Sequence, residues 1–392
     1  MGNDNQENGR NIEIYNAQKS DRRLRGEVQR LNFAENTPVN SEKSGKKVGV
    51  LLSGGVDSAV ALYLLLKEGY DVTAYHMKTV RDELYISKEI KHKVCCSPSD
   101  TYDAQLIAKK FGVPFKIVHV EDVFKERIID YFIDENMLGR TPNPCFFCND
   151  YIKFGTVMEK ALEDGMNYIA SGHYARIIDG RLHKAIDESK DQSYFLASIK
   201  REKLQRILLP NGLFTKDQIR QIAADIGIHV AQKIDSQDLC FLPDNDFRTF
   251  FEEHGAEVQP GNIITTEGKI IGRHEGLPFY TVGQRKLGIA TGNKLYVKSK
   301  SASGNFLVVA PLNETYQEHM VVSHLNLYEE LPGKFSGTVK IRKKSKELKC
   351  EATRKENSLV VKFKEPAFAV TPGQVAVFYD GDKVVCSGVI EQ

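Results

Sequence analysis

Leu51 to Ser58 form a glycine-rich segment, Leu-Leu-Ser-Gly-Gly-Val-Asp-Ser, between a strand-like run and a helix-like run. Gly54 and Gly55 let backbone N–H groups converge on an anion, and the helix that follows adds the positive end of its dipole. A Walker loop would end in Gly-Lys-Ser/Thr, but this segment ends in Asp57 and Ser58. Neutral donors of this kind suit a pyrophosphate that must leave after the reaction. The alternative is a glycine-rich connection that binds no ligand.

Three cysteines lie in two separate segments. Cys145 and Cys148 form a single CxxC within Thr-Pro-Asn-Pro-Cys-Phe-Phe-Cys, and Cys240 lies in Ser-Gln-Asp-Leu-Cys-Phe. A structural zinc site normally has a second CxxC, and a thioredoxin site needs a thioredoxin fold around it. Packing of inert thiols is an alternative. The two prolines stiffen the loop and fix the direction of its thiols, so the pattern favours thiol chemistry.

The residues around the glycine-rich segment alternate between strand-like and helix-like patterns. The patterns predict strands in KVGVLLS, DVTAYHMK, FKIVHV and MNYIASGHY, and helices in VDSAVALYLLLKEG and SDTYDAQLIAKKFG. Such alternation is typical of a parallel α/β sheet. Nucleotides bind at the carboxyl ends of the strands of such sheets, where the loop of residues 53–58 would lie.

Changes in composition predict four parts of the chain. Residues 1–45 form a polar, disordered tail, and residues 46–204 form the parallel-sheet α/β domain. Residues 205–275 form a small linking domain with predicted helices in REKLQRILLP, TKDQIRQIAADIG and DNDFRTFFEEHG. Residues 276–392 contain short strand-like runs divided by Gly, Pro and Asn, which predict an antiparallel β-barrel.

Composition limits the compartment and the partners. The 392 residues carry a formal net charge of +2, which alone indicates no nucleic acid. No apolar run reaches the length of a membrane span and the N-terminus is too polar for a signal peptide, so we expect a cytoplasmic protein without a membrane partner. Seven cysteines do not make a disulfide scaffold in a chain this long, and we assign no role to Cys95 and Cys96. The basic run at 340–349 suits RNA phosphates or a charged edge strand equally.

The chain resembles the bacterial tRNA-specific 2-thiouridylase family of the PP-loop ATP pyrophosphatases. The resemblance covers Lys47 to Gln392 and rests on LLSGGVDS, GRTPNPCFFCN, IKFG, ASGHYAR, KDQSYFL, DSQDLCF, TVGQRKLGI and TPGQVAVFYDG, in that order. It implies a PP-loop catalytic domain, a linking domain and a tRNA-binding barrel. It also implies ATP with Mg²⁺, the anticodon loop of tRNA, and a sulfur-donor protein such as a cysteine desulfurase or sulfur carrier. The implied reaction replaces O2 of the wobble uridine, position 34, with sulfur.

The resemblance further implies roles for individual residues. ATP would contact Leu51, Leu52, Ser53, Gly54, Gly55, Val56, Asp57, Ser58, Met77 and Gly172. Cys240 would carry a persulfide that Cys148 resolves, and the target base would lie against Asn143, Pro144 and Cys145. The tRNA would contact His173, Lys190, Asp191, Gln192, Arg342, Lys343 and Gln374. Core packing is the alternative for His173 and for Cys240.

The chemistry of the residues is consistent with this reaction. Uracil O2 is a poor leaving group until adenylation lets it depart as AMP, and a persulfide resolved by a thiolate is then a good sulfur donor. Many members of the family have an aspartate where this chain has Cys145. A third thiol would let Cys145, Cys148 and Cys240 hold a [4Fe–4S] cluster with one open iron. We prefer the persulfide relay, which needs no such cofactor; a different PP-loop adenylating ligase and a non-catalytic RNA-binding or iron–sulfur carrier protein are further alternatives.

Overall fold

A computed structural model describes residues 45–80, 98–231, 233, 239–242, 246–289, 294–331 and 333–391. The predicted tail, apart from Gly45, and the pair Cys95 and Cys96 lie outside the described residues. Within these ranges, no helix combines the length and apolar character needed to cross a membrane.

A five-stranded parallel sheet forms the first layer of the fold, in the order β3-β2-β1-β4-β7. Its strands are β1 (Lys47–Leu51), β2 (Asp71–Lys78), β3 (Phe115–His119), β4 (Tyr168–Ala170) and β7 (Ile207–Leu208), with β5 and β6 in a hairpin described below. The central strand β1 is apolar on both faces, and Val48 and Val50 are fully buried. Burial on both faces explains why β1 reads as a continuous apolar run.

Ten α-helical segments surround and follow this sheet in the described part of the chain. They are α1 (Val56–Lys67), α2 (Pro98–Phe111), α3 (Glu121–Phe124), α4 (Tyr131–Met137), α5 (Pro144–Cys148), α6 (Val157–Glu163), α7 (Ser193–Leu196), α8 (Arg201–Leu204), α9 (Lys216–Asp225) and α10 (Phe247–Glu253). A π-helical segment, Lys125–Asp130, joins α3 to α4, and a second, Asn149–Thr156, joins α5 to α6. Short 3₁₀ turns occur at Pro210–Leu213, Leu277–Phe279 and Leu312–Thr315.

One predicted helix is wrong over much of its length. REKLQRILLP is helical only at α8, and Ile207–Leu208 form the edge strand β7, parallel to β4. Ile207 and Leu208 are buried, which suits an apolar sheet edge, and Pro210 opens a 3₁₀ turn rather than a continued helix. The helix α9 then packs against α1. The four domain boundaries given above stay predictions.

A four-stranded mixed sheet follows, in the order β10-β11-β8-β9. Its strands are β8 (Gly261–Thr265), β9 (Ile270–His274), β10 (Tyr296–Ser301) and β11 (Phe306–Ala310). Strands β8 and β11 are parallel and the other pairs are antiparallel. Ile263, Val297 and Leu307 are fully buried, so this sheet has a small core of its own.

Six antiparallel strands close into a barrel, which confirms the predicted fold class of a parallel α/β domain followed by a barrel. They are β12 (Tyr316–Leu327), β13 (Lys334–Lys340), β14 (Leu348–Lys355), β15 (Ser358–Phe368), β16 (Val375–Asp380) and β17 (Lys383–Ile390). Pairing of β12 with both β15 and β17 closes the ring. A hairpin from the first half of the chain, β5 (Ala175–Ile178) and β6 (Arg181–Lys184), extends the same sheet through β17.

A single hydrophobic cluster joins the first domain to the barrel. This central cluster contains Phe132, Cys148 and Phe251 together with Val375 and Tyr379 of β16. Its members come from residues far apart in the chain, so the barrel completes the core on which the cysteine-bearing helix α5 packs. Packing in this cluster therefore fixes the position of α5 relative to the barrel.

Candidate active site

The loop between β1 and α1 has the form of an anion site. Gly54 has φ +78°, and a Cβ there would lie 2.4 Å from the carbonyl oxygen of Asp100. Gly55 is the N-cap of α1 and supplies no side-chain hydrogen bond to it, which leaves the N–H groups of the first turn to a ligand. The hydroxyl of Ser58 accepts a hydrogen bond from Ser53 N (3.2 Å) and donates one to Gly55 O (3.0 Å), which holds the loop compact.

Asp57 is held by residues from distant parts of the chain. Its carboxylate accepts hydrogen bonds from the Tyr174 hydroxyl (2.6 Å) and from Lys216 Nζ (2.8 Å to each oxygen). Asn211 Nδ2 donates to the carbonyl oxygens of Asp57 (2.9 Å) and Gly172 (3.1 Å). The structure brings Gly172, a predicted ATP contact, against the loop, because a Cβ on Gly172 would lie 2.6 Å from the Asp57 carbonyl carbon.

A second lysine supports the loop from its other side. Lys233 Nζ lies 2.7 Å from an Asp100 oxygen, 2.6 Å from an Asp103 oxygen and 3.3 Å from Gly54 O. The two carboxylates outweigh the effect of burial and raise the pKa of Lys233. The predicted loop lacks a lysine of its own, and the fold supplies Lys216 and Lys233 beside it. The only signal in the sequence is Asp57, a loop carboxylate that needs a positively charged partner from another part of the chain.

The remaining predicted nucleotide contacts lie along the same sheet edge. Leu51 ends β1, and Met77 lies near the end of the neighbouring strand β2. Both are partly buried and pack against the central cluster. His76 Nδ1 contacts Leu52 O at 2.8 Å, and this contact ties the end of β2 to the loop. The residues Leu51 and Met77 of this sheet edge therefore border the same cluster as Cys148 and Cys240.

The helix α5 positions Cys145 and Cys148. Asn143 is its N-cap and its side chain accepts a hydrogen bond from Phe146 N (3.3 Å), while Pro144 occupies the first turn, where its missing N–H has no cost. Cys145 is partly exposed, and Cys148 is buried in the central cluster. The helix thus carries the residue predicted to lie against the target base, Cys145, and the residue predicted to resolve the persulfide, Cys148, three positions apart.

The structure brings Cys240 to the same cluster as Cys148. Leu239, Cys240 and Phe241 pack against the central cluster, and the Phe241 ring lies 5.2 Å from that of Phe132. Cys240 is partly exposed. Among the described residues, however, no group of three or more His, Cys, Asp or Glu side chains is placed to hold a metal ion. Cys145, Cys148 and Cys240 therefore do not fit a [4Fe–4S] cluster in this conformation.

The loop that precedes α5 is clamped by the later sheets. Thr141 N donates to Pro372 O (2.8 Å), and Gln374 Nε2 donates to Thr141 O (2.9 Å). Lys300 Nζ, from β10, donates to Arg140 O (3.1 Å) and to Thr141 Oγ1 (3.3 Å). Gln374, predicted to contact tRNA, here holds the loop of the predicted base pocket.

The other residues predicted to contact tRNA divide into two groups. The first group, His173 and the 190–192 run, lies next to the loop of residues 53–58. Gln192 Oε1 accepts a hydrogen bond from Tyr174 N (2.9 Å). Asp191 is buried, and its oxygens accept hydrogen bonds from Ala185 N and the Ser193 hydroxyl. Burial and the Lys153 ammonium hold the pKa of His173 well below its usual range. Lys153 Nζ lies 3.3 Å from Nε2, so Nε2 accepts that hydrogen bond and Nδ1 carries the proton toward Ser171 Oγ (2.7 Å).

Arg342 and Lys343 follow β13 in the barrel and have different surroundings. The Arg342 guanidinium donates to Val282 O (2.8 Å), Ala369 O (3.0 Å) and the Thr371 hydroxyl, and burial lowers its pKa. Lys343 is exposed, and its ammonium lies 5.0 Å from the centre of the Phe195 ring. Loss of surrounding water lowers the pKa of Lys343, and the neighbouring Cys145 thiol counteracts this by raising it. The structure thus brings Lys343 to the predicted base pocket, while Arg342 contacts groups within the protein.

Comparison with known proteins identifies three matching domains. Residues 46–244 match the family described as tRNA methyl transferase HUP domain, residues 248–311 its PRC-barrel domain, and residues 317–390 the aminomethyltransferase beta-barrel domain. The first of these covers just over half of the chain.

Several curated relatives match along nearly their whole length. The protein of Fervidobacterium nodosum named tRNA-specific 2-thiouridylase MnmA is 73% identical over 345 residues, which cover 88% of this chain and 99% of the relative. Proteins of the same name from Pseudothermotoga lettingae and Thermotoga maritima are 53% and 48% identical, and each match covers 88% of this chain and 99% of the relative. By this similarity the chain belongs to the tRNA-specific 2-thiouridylase family.

Proposed function

We propose that this protein catalyses ATP-dependent 2-thiolation of the wobble uridine, position 34, of tRNA. The observation that carries the proposal is the central cluster, since the nucleotide-edge residues Leu51 and Met77 and the thiols of Cys148 and Cys240 all border it. Membership of the family supports the same reaction. We propose a cytoplasmic location, where tRNA and the thiol reductants that the reaction uses are available.

The first step is adenylation of the base. Uracil O2 attacks the α-phosphorus of ATP, pyrophosphate leaves, and O2 becomes part of an AMP leaving group. The loop of residues 53–58 would hold the pyrophosphate through backbone N–H groups and the Ser53 hydroxyl, while the Ser58 hydroxyl, which donates to Gly55 O, keeps the loop compact; Mg²⁺ would neutralise part of the phosphate charge. Lys216 and Lys233 keep the loop carboxylate Asp57 and the Gly54 turn in place, so that the loop does not rearrange as charge leaves.

The second step is sulfur transfer. A sulfur-donor protein first loads Cys240 as a persulfide, Cys–S–SH. The terminal sulfur attacks C2 of the adenylated base, AMP departs, and a base–S–S–Cys240 adduct forms. The Cys148 thiolate then attacks the Cys240 sulfur, which releases the thiolated base and leaves a Cys148–Cys240 disulfide. The sulfane sulfur is reduced, the two thiols are oxidised, and an external thiol must reduce the disulfide before the next turnover.

Residues near the base are proposed to orient it. Asn143, Pro144 and Cys145 line the pocket that receives the uracil after it leaves the anticodon stack. Lys343 lies exposed beside the Phe195 ring and is proposed to approach RNA phosphate. His173, Lys190, Asp191, Gln192, Arg342 and Gln374 are proposed to contact the RNA directly or to hold the surfaces that do.

The test is a reconstituted reaction of the full-length protein with unmodified tRNA, ATP and a cysteine desulfurase with cysteine. We expect 2-thiouridine by mass spectrometry of the nucleosides, together with AMP and pyrophosphate that depend on tRNA. Cys148→Ser and Cys240→Ser should form pyrophosphate but no 2-thiouridine. Stoichiometric iron in active protein, with activity lost on chelation and regained on reconstitution, would overturn the persulfide route. Absence of 2-thiouridine with the wild type would overturn the proposed function itself.

A further inference from the structure

A row of three aromatic rings leads outward from the helix that carries the CxxC. The Tyr131 ring lies 4.8 Å from the Phe147 ring in an edge arrangement, and Phe147 stacks on Tyr151 with centroids 6.0 Å apart and planes 11° apart. Tyr131 and Phe147 are partly buried, whereas Tyr151 is 42% exposed. The outer ring is therefore held in a fixed plane and still accessible.

A guanidinium lies beside the exposed ring. Arg127 Cζ lies 5.8 Å from the Tyr151 centroid, within the range of a cation–π contact. The Arg127 side chain is 55% exposed and also pairs with Glu126 at 3.3 Å. The site thus combines a partly exposed aromatic ring with a guanidinium, which are two features that bind unpaired nucleotides.

A π-helical segment and a segment kinked at Gly155 (φ −107°, ψ −105°) carry these two residues. Arg127 lies in the segment Lys125–Asp130 and Tyr151 lies in the segment Asn149–Thr156, and α5 packs against the first of these. Gly155 allows the second segment to bend, because a Cβ there would lie 2.7 Å from Asp150 O. π-Helical turns such as Lys125–Asp130 are rare and occur frequently at functional sites.

The platform lies close to the thiols. Tyr151 follows Cys148 by one helical turn, about 5 Å along the axis at roughly 1.5 Å per residue. A uridine withdrawn from the anticodon stack leaves its neighbours without a stacking partner. We propose that Tyr151, flanked by Arg127, is a stacking platform for a base adjacent to the target uridine in the anticodon loop. This inference rests on the proposed function and adds a binding site to it.

Simple packing would be the competing explanation for Tyr151. Packing against Phe147 needs apolar bulk but no π-face, so Tyr151→Leu would satisfy it. Stacking needs the ring but not the hydroxyl, so Tyr151→Phe would satisfy that. The two substitutions therefore separate the explanations. Tyr102→Ala is the matched control, since Tyr102 is an exposed tyrosine, 61% accessible, on α2.

The experiment uses full-length protein and an anticodon stem-loop RNA with 2-aminopurine at position 33 or 35. We expect quenching of one of these probes by the wild type. Tyr151→Leu and Tyr151→Ala should abolish the quenching and weaken RNA binding about 5- to 100-fold, as is typical for loss of one stacked base. Tyr151→Phe and Tyr102→Ala should stay within about twofold of the wild type, and the KM for ATP should not change.

Three outcomes would overturn the platform. The first is wild-type RNA affinity in Tyr151→Leu, and the second is quenching that persists in Tyr151→Ala. The third is an unchanged RNA affinity with a raised KM for the sulfur-donor protein, which would make the surface a protein-docking site. If the wild type thiolates tRNA while any of these occurs, the platform alone fails. If the wild type forms no 2-thiouridine on intact tRNA, the proposed function fails.

Discussion

The Lys216 ammonium lies 2.8 Å from each carboxylate oxygen of Asp57, although 159 residues separate them in the chain. The Lys216 side chain is only 7% exposed, whereas Asp57 is 31% exposed. The lysine is thus committed to the loop carboxylate, and the carboxylate stays partly open toward the nucleotide side. Because the two charges cancel within the pair, Lys216 orders the loop, whereas the lysine of a Walker loop reaches the phosphates directly.

Replacement of Lys216 by Met should abolish pyrophosphate release and reduce the free energy of unfolding by about 1–3 kcal/mol, because a partly buried carboxylate loses its charged partner. Affinity for tRNA should stay within a few-fold, since the lysine lies at the nucleotide loop. Pyrophosphate release, urea unfolding and filter binding measure the three quantities. Lys67→Met, at the exposed end of α1, is the control.

The double variant Lys216→Met with Asp57→Asn removes both charges. We expect it to recover most of the lost stability but none of the pyrophosphate release. Recovery of catalysis in the double variant would contradict a role of the pair in holding the nucleotide.

Gly172→Ala should prevent ATP binding in an otherwise folded protein. The new Cβ would lie 2.6–2.7 Å from backbone atoms of Asp57 and Ser58, which cannot yield without moving the loop. Equilibrium binding of ATP and circular dichroism measure the effect. Gly333→Ala, where a Cβ meets no atom within 4 Å, should bind ATP as the wild type does. Unchanged ATP affinity in Gly172→Ala would show that nucleotide does not use this loop.

A single turnover without added thiol should leave a disulfide between Cys148 and Cys240. Peptide mass mapping under non-reducing conditions should find this disulfide in the wild type and in Cys145→Ala. We expect Cys145→Ala only to slow thiolation, because Cys145 lines the base pocket in the proposed route. Cys148→Ser and Cys240→Ser should reduce 2-thiouridine formation by about 1,000-fold or more. A Cys145→Ala protein as inactive as these two would contradict the two-thiol relay.

Lys300 should make the stability of the protein depend on pH above neutrality. Its Nζ donates to the carbonyl oxygens of Arg140 and Tyr280, and burial lowers its pKa to about 7. An unfolded lysine keeps a pKa of about 10.4, so between pH 7 and about 10 the unfolded state binds the extra proton and the folded state does not. Stability contributed by this group therefore rises with pH across that window.

Lys300→Met removes this titration. Relative to the variant, the wild type should gain up to about 1 kcal/mol of apparent unfolding free energy for each pH unit between pH 7 and 9. Urea unfolding of both proteins at pH 7, 8 and 9, with thiols kept reduced, measures the difference. A difference that stays constant with pH would mean that the Lys300 amine keeps its ordinary pKa.

Apolar periodicity and glycine positions in the sequence correctly predicted several strands and helices and one loop. Strands β1 to β3 and helices α1, α2 and α9 lie where the apolar periodicity indicated, and the glycine pair marked the loop because Gly54 needs a positive φ. Contacts between residues far apart in the chain leave no periodic pattern in the sequence, so they could not be predicted in this way. Lys216 and Lys233 look like ordinary surface lysines in the sequence, and the β5–β6 hairpin acquires its partner strand only through the barrel.

Elements defined by tertiary context were also missed. The predicted helix through Ile207 became a strand because an open edge of the parallel sheet lies beside it. The π-helical segments that carry Arg127 and Tyr151 cannot be distinguished from α-helix by apolar spacing over six or eight residues. Arg342 was predicted to contact tRNA from the family resemblance, and in the structure its guanidinium donates to the carbonyl groups of Val282 and Ala369.

The clamp on the cysteine loop also has a consequence for protein synthesis. A polypeptide leaves the ribosome from its N-terminus, and domains fold as they emerge. Thr141 emerges long before Pro372 and Gln374, which hold it, and the central cluster receives Val375 and Tyr379 at the same late stage. A nascent chain can thus form its nucleotide loop while the thiol-bearing loop still lacks its final support. The thiol site can therefore assemble fully only after β16 has been translated and the barrel is present.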